Sequence, residues 1–360
     1  MLYTSLGDRG GMSRTRDKYR QLGASQKELA EADFVVATSD LKRWDEFSPD
    51  EGANQEARKR AQKAMFDYYD AEKNRDVSTQ FVVQAAYHVA KMKKASGAGD
   101  TNEWWKNTVT AFQRYKRGAP VKDGRSSALG SREASMAAEG DYVLLDQEVA
   151  KKFDYESGHH RYKGTSVEVV SQYRKDAGEA KGWFEKLQAI ADGYLSPEWT
   201  PIVIARQGSL YDSLRTGLYN TRPPALKMFD KKMEDLLKRA EESGIPELQE
   251  KADAKRIAIQ EAWRTARDQE LDSADRILVD RYGNAIVLAR RYNVSNPAVT
   301  RAIRRLAFVT DVVGEGKMGG YAGTVKDLSY TPGMFQRMRP GLVTTPKPEG
   351  MPKPLPVLAQ

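Results

Sequence analysis

Residues 271–292 read LDSADRILVDRYGNAIVLARRY, and Leu271, Ala274, Leu278, Tyr282, Ala285, Ala289 and Tyr292 recur in this stretch three or four residues apart. A strand repeats every two residues and a helix every 3.6, so these seven side chains share one side of a helix. An apolar stripe of that length needs other helices to cover it. Working outward, Val170, Tyr173, Ala177, Ala180, Phe184, Leu187 and Ala191 alternate in the same way and predict a second long seam.

Between the two seams, Ser196-Pro197-Glu198 supplies an N-cap residue followed by proline at the first helical position. The helix it opens puts Val203, Leu210, Leu214 and Leu218 broadly on one face. Arg222-Pro223-Pro224 starts another helix, and Gly244-Ile245-Pro246 ends that one and begins a helix through Leu248, Ala252, Ile259 and Ala266. Past the first seam, Asn296-Pro297 caps a helix carrying Val299, Ile303 and Leu306.

The amino-terminal part follows the same grammar. Ser25 and Glu28 have capping-box spacing, and Phe34, Ala37, Leu41 and Trp44 follow at helical intervals up to Ser48-Pro49. Ala57, Ala61, Ala64 and Tyr68 mark the next helix, with small residues that let a neighbour approach closely. Residues 77–95 carry two stripes, Phe81, Ala85, His88 and Met92 beside Val82, Ala86 and Ala90, so this helix is covered on more than one side. Asp100 and Glu103 give another capping signal ahead of Trp104, Trp105, Val109, Phe112 and Tyr115. A further helix is expected from about Ser131 to Phe153.

The sum is about ten or eleven helices, an all-α chain organised as helical hairpins. Residues 1–118 form the first set of hairpins, 119–130 a polar Gly- and Ser-rich joint, 131–313 a second helical array, and 314–360 a glycine- then proline-rich tail that cannot form helix.

Composition narrows function by exclusion. Without a cysteine among 360 residues, disulfides, thiolate catalysis and the usual structural zinc sites are ruled out together. The formal charge of +8 permits an anionic partner, yet the basic residues are interspersed with 50 acidic ones and no uninterrupted basic arm exists. A mixed solvated surface is therefore expected, with no specific nucleic acid as partner. No segment approaches the ~20 apolar residues that span a bilayer, and residues 1–11 lack a basic stretch followed by an apolar one.

Chemistry-bearing motifs are few. Gly314-Glu315-Gly316-Lys317-Met318-Gly319 has dinucleotide-binding glycine spacing but follows helical sequence and leads into coil, where that spacing has no meaning. His88 lies on an apolar stripe, and the adjacent His159 and His160 lack the i, i+4 geometry of a helical zinc site. No catalytic residue, cofactor or metal is therefore expected. Two features instead suit partner binding. Trp104 and Trp105 point about 100° apart on their helix, so one is a candidate for exposure while the alternative packs each against a different neighbour. Arg206, Tyr211, Arg215 and Tyr219 cover much of one side of their helix with the composition preferred at binding hot spots, which an ordinary amphipathic surface would carry equally well.

The succession of hairpins resembles tetratricopeptide-repeat and related α-solenoid proteins. Leu2-Tyr3 with Leu6-Gly7-Asp8 looks like the end of a repeat's first helix, with residues 12–22 as its second, which implies that the chain begins within a repeat of a longer protein. Later helices depart from the family's fixed spacing. Residues 196–309, including the run from Ala205 to Asn220, are similar to large envelope repeat proteins of gliding bacteria, among them motility components. That resemblance implies a non-enzymatic scaffold binding other proteins of a multiprotein assembly in the periplasm or cell envelope, with cytoplasm as the alternative compartment. The rival expectations are an all-α enzyme acting on glycan or nucleic acid through paired carboxylates, and a basic nucleic-acid binder.

Overall fold

The computed structural model describes residues 9–74, 78–153, 162–221 and 231–313. The half repeat at residues 2–8, the His159-His160 pair, the helix start at Arg222-Pro223-Pro224, the glycine spacing at 314–319 and the proline tail lie outside the described residues. Eleven helices occur among those described: α1 (Arg9–Gln21), α2 (Gln26–Leu41), α3 (Gly52–Glu72), α4 (Gln80–Ala95), α5 (Thr101–Gly118), α6 (Arg132–Lys152), α7 (Ser166–Tyr194), α8 (Thr200–Tyr219), α9 (Lys231–Glu242), α10 (Pro246–Arg291) and α11 (Pro297–Val313). The fold is all-α. The expected joint at 119–130 holds the one antiparallel pair among the described residues, β1 (Val121–Lys122) with β2 (Arg125–Ser126), turned by Asp123 and Gly124 at positive φ.

Local chemistry sets the helix ends. Ser25 and Glu28 form the reciprocal capping box, the Ser25 backbone N–H donating to the Glu28 carboxylate at 2.8 Å and the Glu28 N–H to the Ser25 hydroxyl at 3.3 Å. Asn296 accepts from the Ala298 N–H at 2.9 Å ahead of α11. Ser196 accepts from the Trp199 N–H at 3.1 Å, and the helix proper starts at Thr200, because residues 197–199 form a turn. Asp100 departs from expectation. It occupies the N-cap position of α5 without a side-chain cap bond, and its carboxylate takes the Lys93 ammonium at 2.5 Å instead. A charged partner outcompetes a neutral backbone N–H here.

The chain divides into two compact units, one of residues 1–146 with 192–199, the other of residues 147–191 with 200–360. In the first unit consecutive helices from α1 to α5 pack on one another, which is compatible with a helical repeat. Its core runs through Ala61, Met65, Val83, Ala85, Val89, Trp105 and Phe112, all fully buried. Gly140 of α6 lets the Trp105 backbone come close, since a Cβ there would sit 3.2 Å from the Trp105 carbonyl oxygen.

The second unit is built around α8, which packs on α10 and α11 and buries nearly every residue from Pro201 to Leu218. A helix covered all round has no dominant apolar stripe, which matches its mixed sequence. The anticipated stripe on α10 forms the other half of this core, with Leu278, Val279, Tyr282, Ala285, Ile286 and Ala289 against Ile204, Ala205, Ile303 and Leu306. One continuous helix of 46 residues carries both the segment after Pro246 and the 271–289 stripe.

Two helices meet closely at Gly208, where an added Cβ would lie 2.7 Å from the Tyr282 ring. An aromatic ring wedged between helices has little room to move. We expect Gly208→Ala to destabilise the second unit by roughly 1–3 kcal/mol, as overpacked cores do, and Gly193→Ala, whose position is open, to be tolerated in a side-by-side thermal melt.

Candidate functional site

The expected binding residues are largely committed inside the fold. Trp104 is 5% exposed and packs on Phe66 and Tyr69 of α3, with ring centroids 5.6 and 5.2 Å away. Trp105 is wholly buried against Tyr87 of α4 at 5.8 Å. Each tryptophan thus serves a different neighbouring helix, the alternative that the 100° divergence left open. On α8 the four residues do not make one open face. Arg206 is buried and donates to the Ser209 hydroxyl at 2.9 Å, and Tyr211 is half-buried beside Phe184 of α7 at 6.2 Å. Arg215 is buried and its Nε meets Asp275 at 2.5 Å, while Tyr219, the exposed member, lies between the Arg215 and Arg267 guanidiniums at 5.5 and 5.6 Å. Nothing in a single sequence marks a helix as central, so its arginines read as surface. The helical Gly208 beside them was the one available signal of close packing.

Arg215–Asp275 has a neighbour of the same kind. Asp212 accepts two bonds from Arg305 of α11, at 2.5 and 2.6 Å, and one from the Tyr282 hydroxyl at 3.1 Å. Desolvating such charges is expensive, and removing one member of a buried pair typically costs about 3–5 kcal/mol because its partner stays buried alone. We expect Arg215→Ala to lose stability on that scale, and Arg215→Ala with Asp275→Leu to recover part of it in denaturant titrations.

A second polar cluster belongs to the first unit. Lys91 of α4 reaches Glu46 at 3.0 Å and Glu139 of α6 at 3.4 Å, and the Tyr87 hydroxyl donates to Glu139 at 2.7 Å. Glu198 sits in the same environment. Burial first, then the Glu139 charge, push its carboxyl up to about 7, against the opposing pull of Lys91 and Arg132. Burial, with Arg132 and Lys91 adding to it, pushes the half-buried His88 imidazole down to about 3. The signs are opposite. Glu198 holds its proton more tightly when folded, so its contribution to stability falls as pH rises from about 4.5 to about 7; His88 binds its proton less tightly when folded, so its contribution falls as pH drops from about 6.5 toward 3. Glu198→Gln should therefore raise the melting temperature relative to the parent at pH 8 and leave it nearly unchanged at pH 4. Equal effects at both pH values would contradict the assignment.

The feature that sequence reading missed is an open groove of about 470 Å³ between the first turns of α7 and the middle of α10. Val167 and Val170 form one wall, and Ile259, Ala262 and Ala266 the other. Trp263 lies against it as a floor, 1% exposed, and its indole Nε1 has no hydrogen-bond partner. Ser166, Ser171 and Arg174 complete the lining. Arg174 is held by Glu270 at 2.6 Å while its side chain remains 68% exposed. Ile259 and Ala266 belong to the apolar pattern that predicts a core, but pattern alone does not say whether another element covers a stripe.

Among the described residues, no helix is long and apolar enough to cross a membrane, and no group of three or more His, Asp or Glu side chains is placed to hold a metal ion. No family model, curated protein or solved structure matches the chain.

Proposed function

We propose that this chain is a non-enzymatic helical scaffold that binds other proteins within a multiprotein assembly, using the α7–α10 groove as a seat. The groove carries the reading. Its walls are apolar and open to solvent, and a buried indole N–H beneath them lacks an acceptor. An unsatisfied buried donor costs about 1–3 kcal/mol, which an occupant supplying an acceptor would recover once the indole turns toward it. Other buried groups also lack a hydrogen-bond partner among the described residues, the Trp105 indole N–H and the Ser213 hydroxyl among them, but neither lines the groove. The sequential packing of α1 to α5 supports a tetratricopeptide-like repeat for the first unit, and the resemblance to envelope proteins of gliding bacteria supports placement in the periplasm, in a motility or trafficking complex.

Affinity capture from the source cells with the full chain, beside an Ala262→Arg variant that fills the groove from an exposed position, tests this. A reproducible set of proteins retained by the parent and lost by the variant is expected. The same set on both, or none on either, counts against the groove as the seat.

One observation favours an enzymatic alternative: Glu198 keeps its proton near neutral pH close to the Glu139 charge, the division of labour that paired carboxylates use in glycoside hydrolysis. Release of soluble fragments from peptidoglycan or another polysaccharide by the purified chain, abolished in Glu198→Gln, would promote that reading over the scaffold.

A further inference from the structure

We infer that the partner element seated between α7 and α10 is an amphipathic helix with an acidic side chain at the edge of its apolar face. This rests on the protein-binding reading and names the chemistry of the partner. Three observations carry it.

The first is shape. Both walls are helix surfaces, Val167 and Val170 on α7 against Ile259, Ala262 and Ala266 on α10, the last three recurring at i, i+3 and i+7. A trough between two helices is filled by the side-chain ridge of a third, and small residues such as Ala262, Ala266 and Ser171 let its backbone approach. Val167 is 77% exposed, an apolar surface that a leucine from such a ridge would cover.

The second is the kind of polar group on offer. Among the described residues Arg174 is the sole charged side chain in the lining, a cation paired on one side with Glu270. The Trp263 indole can only donate, and the Ser166 and Ser171 hydroxyls can donate. Among the described residues no carboxylate lines the groove. A surface that offers N–H and O–H groups and one guanidinium selects an acceptor, and a carboxylate above other acceptors, because charge-assisted bonds are about twice as strong as neutral ones.

The third is that the indole N–H is buried without a partner although the groove beside it is open. Trp263 Nε1 itself is covered, so a carboxylate in the groove meets its first donor at the Arg174 edge. Glu270 takes the Nε and Nη2 of Arg174, which leaves Nη1 as the guanidinium donor for such a carboxylate.

The probe is a fluorescein-labelled, hydrocarbon-stapled helix of about 18 residues, long enough to hold helical structure, with leucines at i, i+3, i+4 and i+7 and one glutamate flanking them. Matched peptides carry glutamine or lysine in its place, and a scrambled peptide breaks the leucine stripe. Binding to the full chain is read by fluorescence anisotropy. The glutamate peptide should bind on the order of tenfold more tightly than the lysine peptide, the scrambled peptide should not bind, and Ala262→Arg should abolish binding. Arg174→Glu should reverse the preference toward the lysine peptide, a swap that mere loss of fold cannot produce; circular dichroism confirms folding of each variant. Equal binding of the glutamate and lysine peptides overturns the acidic requirement. Decanoate binding with no peptide binding assigns the groove to a small amphiphile and overturns the proposal, as does self-association that Ala262→Arg removes. A cellular partner set lost with Ala262→Arg, together with no peptide binding, overturns this inference alone and leaves the scaffold reading standing.

Discussion

The second unit depends on a constraint that follows from burying charge. Asp212 and Arg215 lie within the fully covered helix α8, where neither tolerates the loss of its counter-ion. Asp212 takes Arg305 from α11 and the hydroxyl of Tyr282 from α10, and Arg215 takes Asp275 from α10. Apolar packing would accept several neighbouring registers of three such helices, because leucine and alanine slide past one another at little cost. Ion pairs between named residues accept only one. Gly208, with Tyr282 pressed against it, fixes the separation as the charges fix the register.

The first unit solves its interior differently. Its core is mostly alanine, valine and aromatic side chains, and the polar groups gather where α4 and α6 meet. Glu139 is the hub, accepting from Tyr87 and pairing with Lys91, and its charge is one reason that Glu198 retains a proton. Partial opening to water at Glu198, His88 and Lys91 makes this cluster responsive to pH, whereas the Arg215–Asp275 pair is shut off from solvent.

How much of this was legible beforehand divides along a physical line. Helix periodicity and end signals are local, so the all-α class, the capping box at Ser25 and Glu28, the Asn296 cap and the stripe from Leu271 to Ala289 could be read directly. Depth of burial is not local. Arg206 and Arg215 looked available, and whether Trp104 or Trp105 was exposed stayed open, because nothing in one chain states which helices surround another. The reverse error concealed the groove: Ile259 and Ala266 fit a core pattern, yet the structure leaves their side of α10 open beside α7. Asp100 shows the same limit on a smaller scale, since its spacing suited a cap and only the fold brings Lys93 within reach.

The long helix α10 joins the groove to the ion pairs without a hinge. Ala262 and Asp275 are thirteen residues apart on one uninterrupted rod, about 20 Å at 1.5 Å per residue. A displacement of α10 at Ala262 is therefore carried along a stiff shaft to Asp275, and the pair with Arg215 resists it by its grip on register.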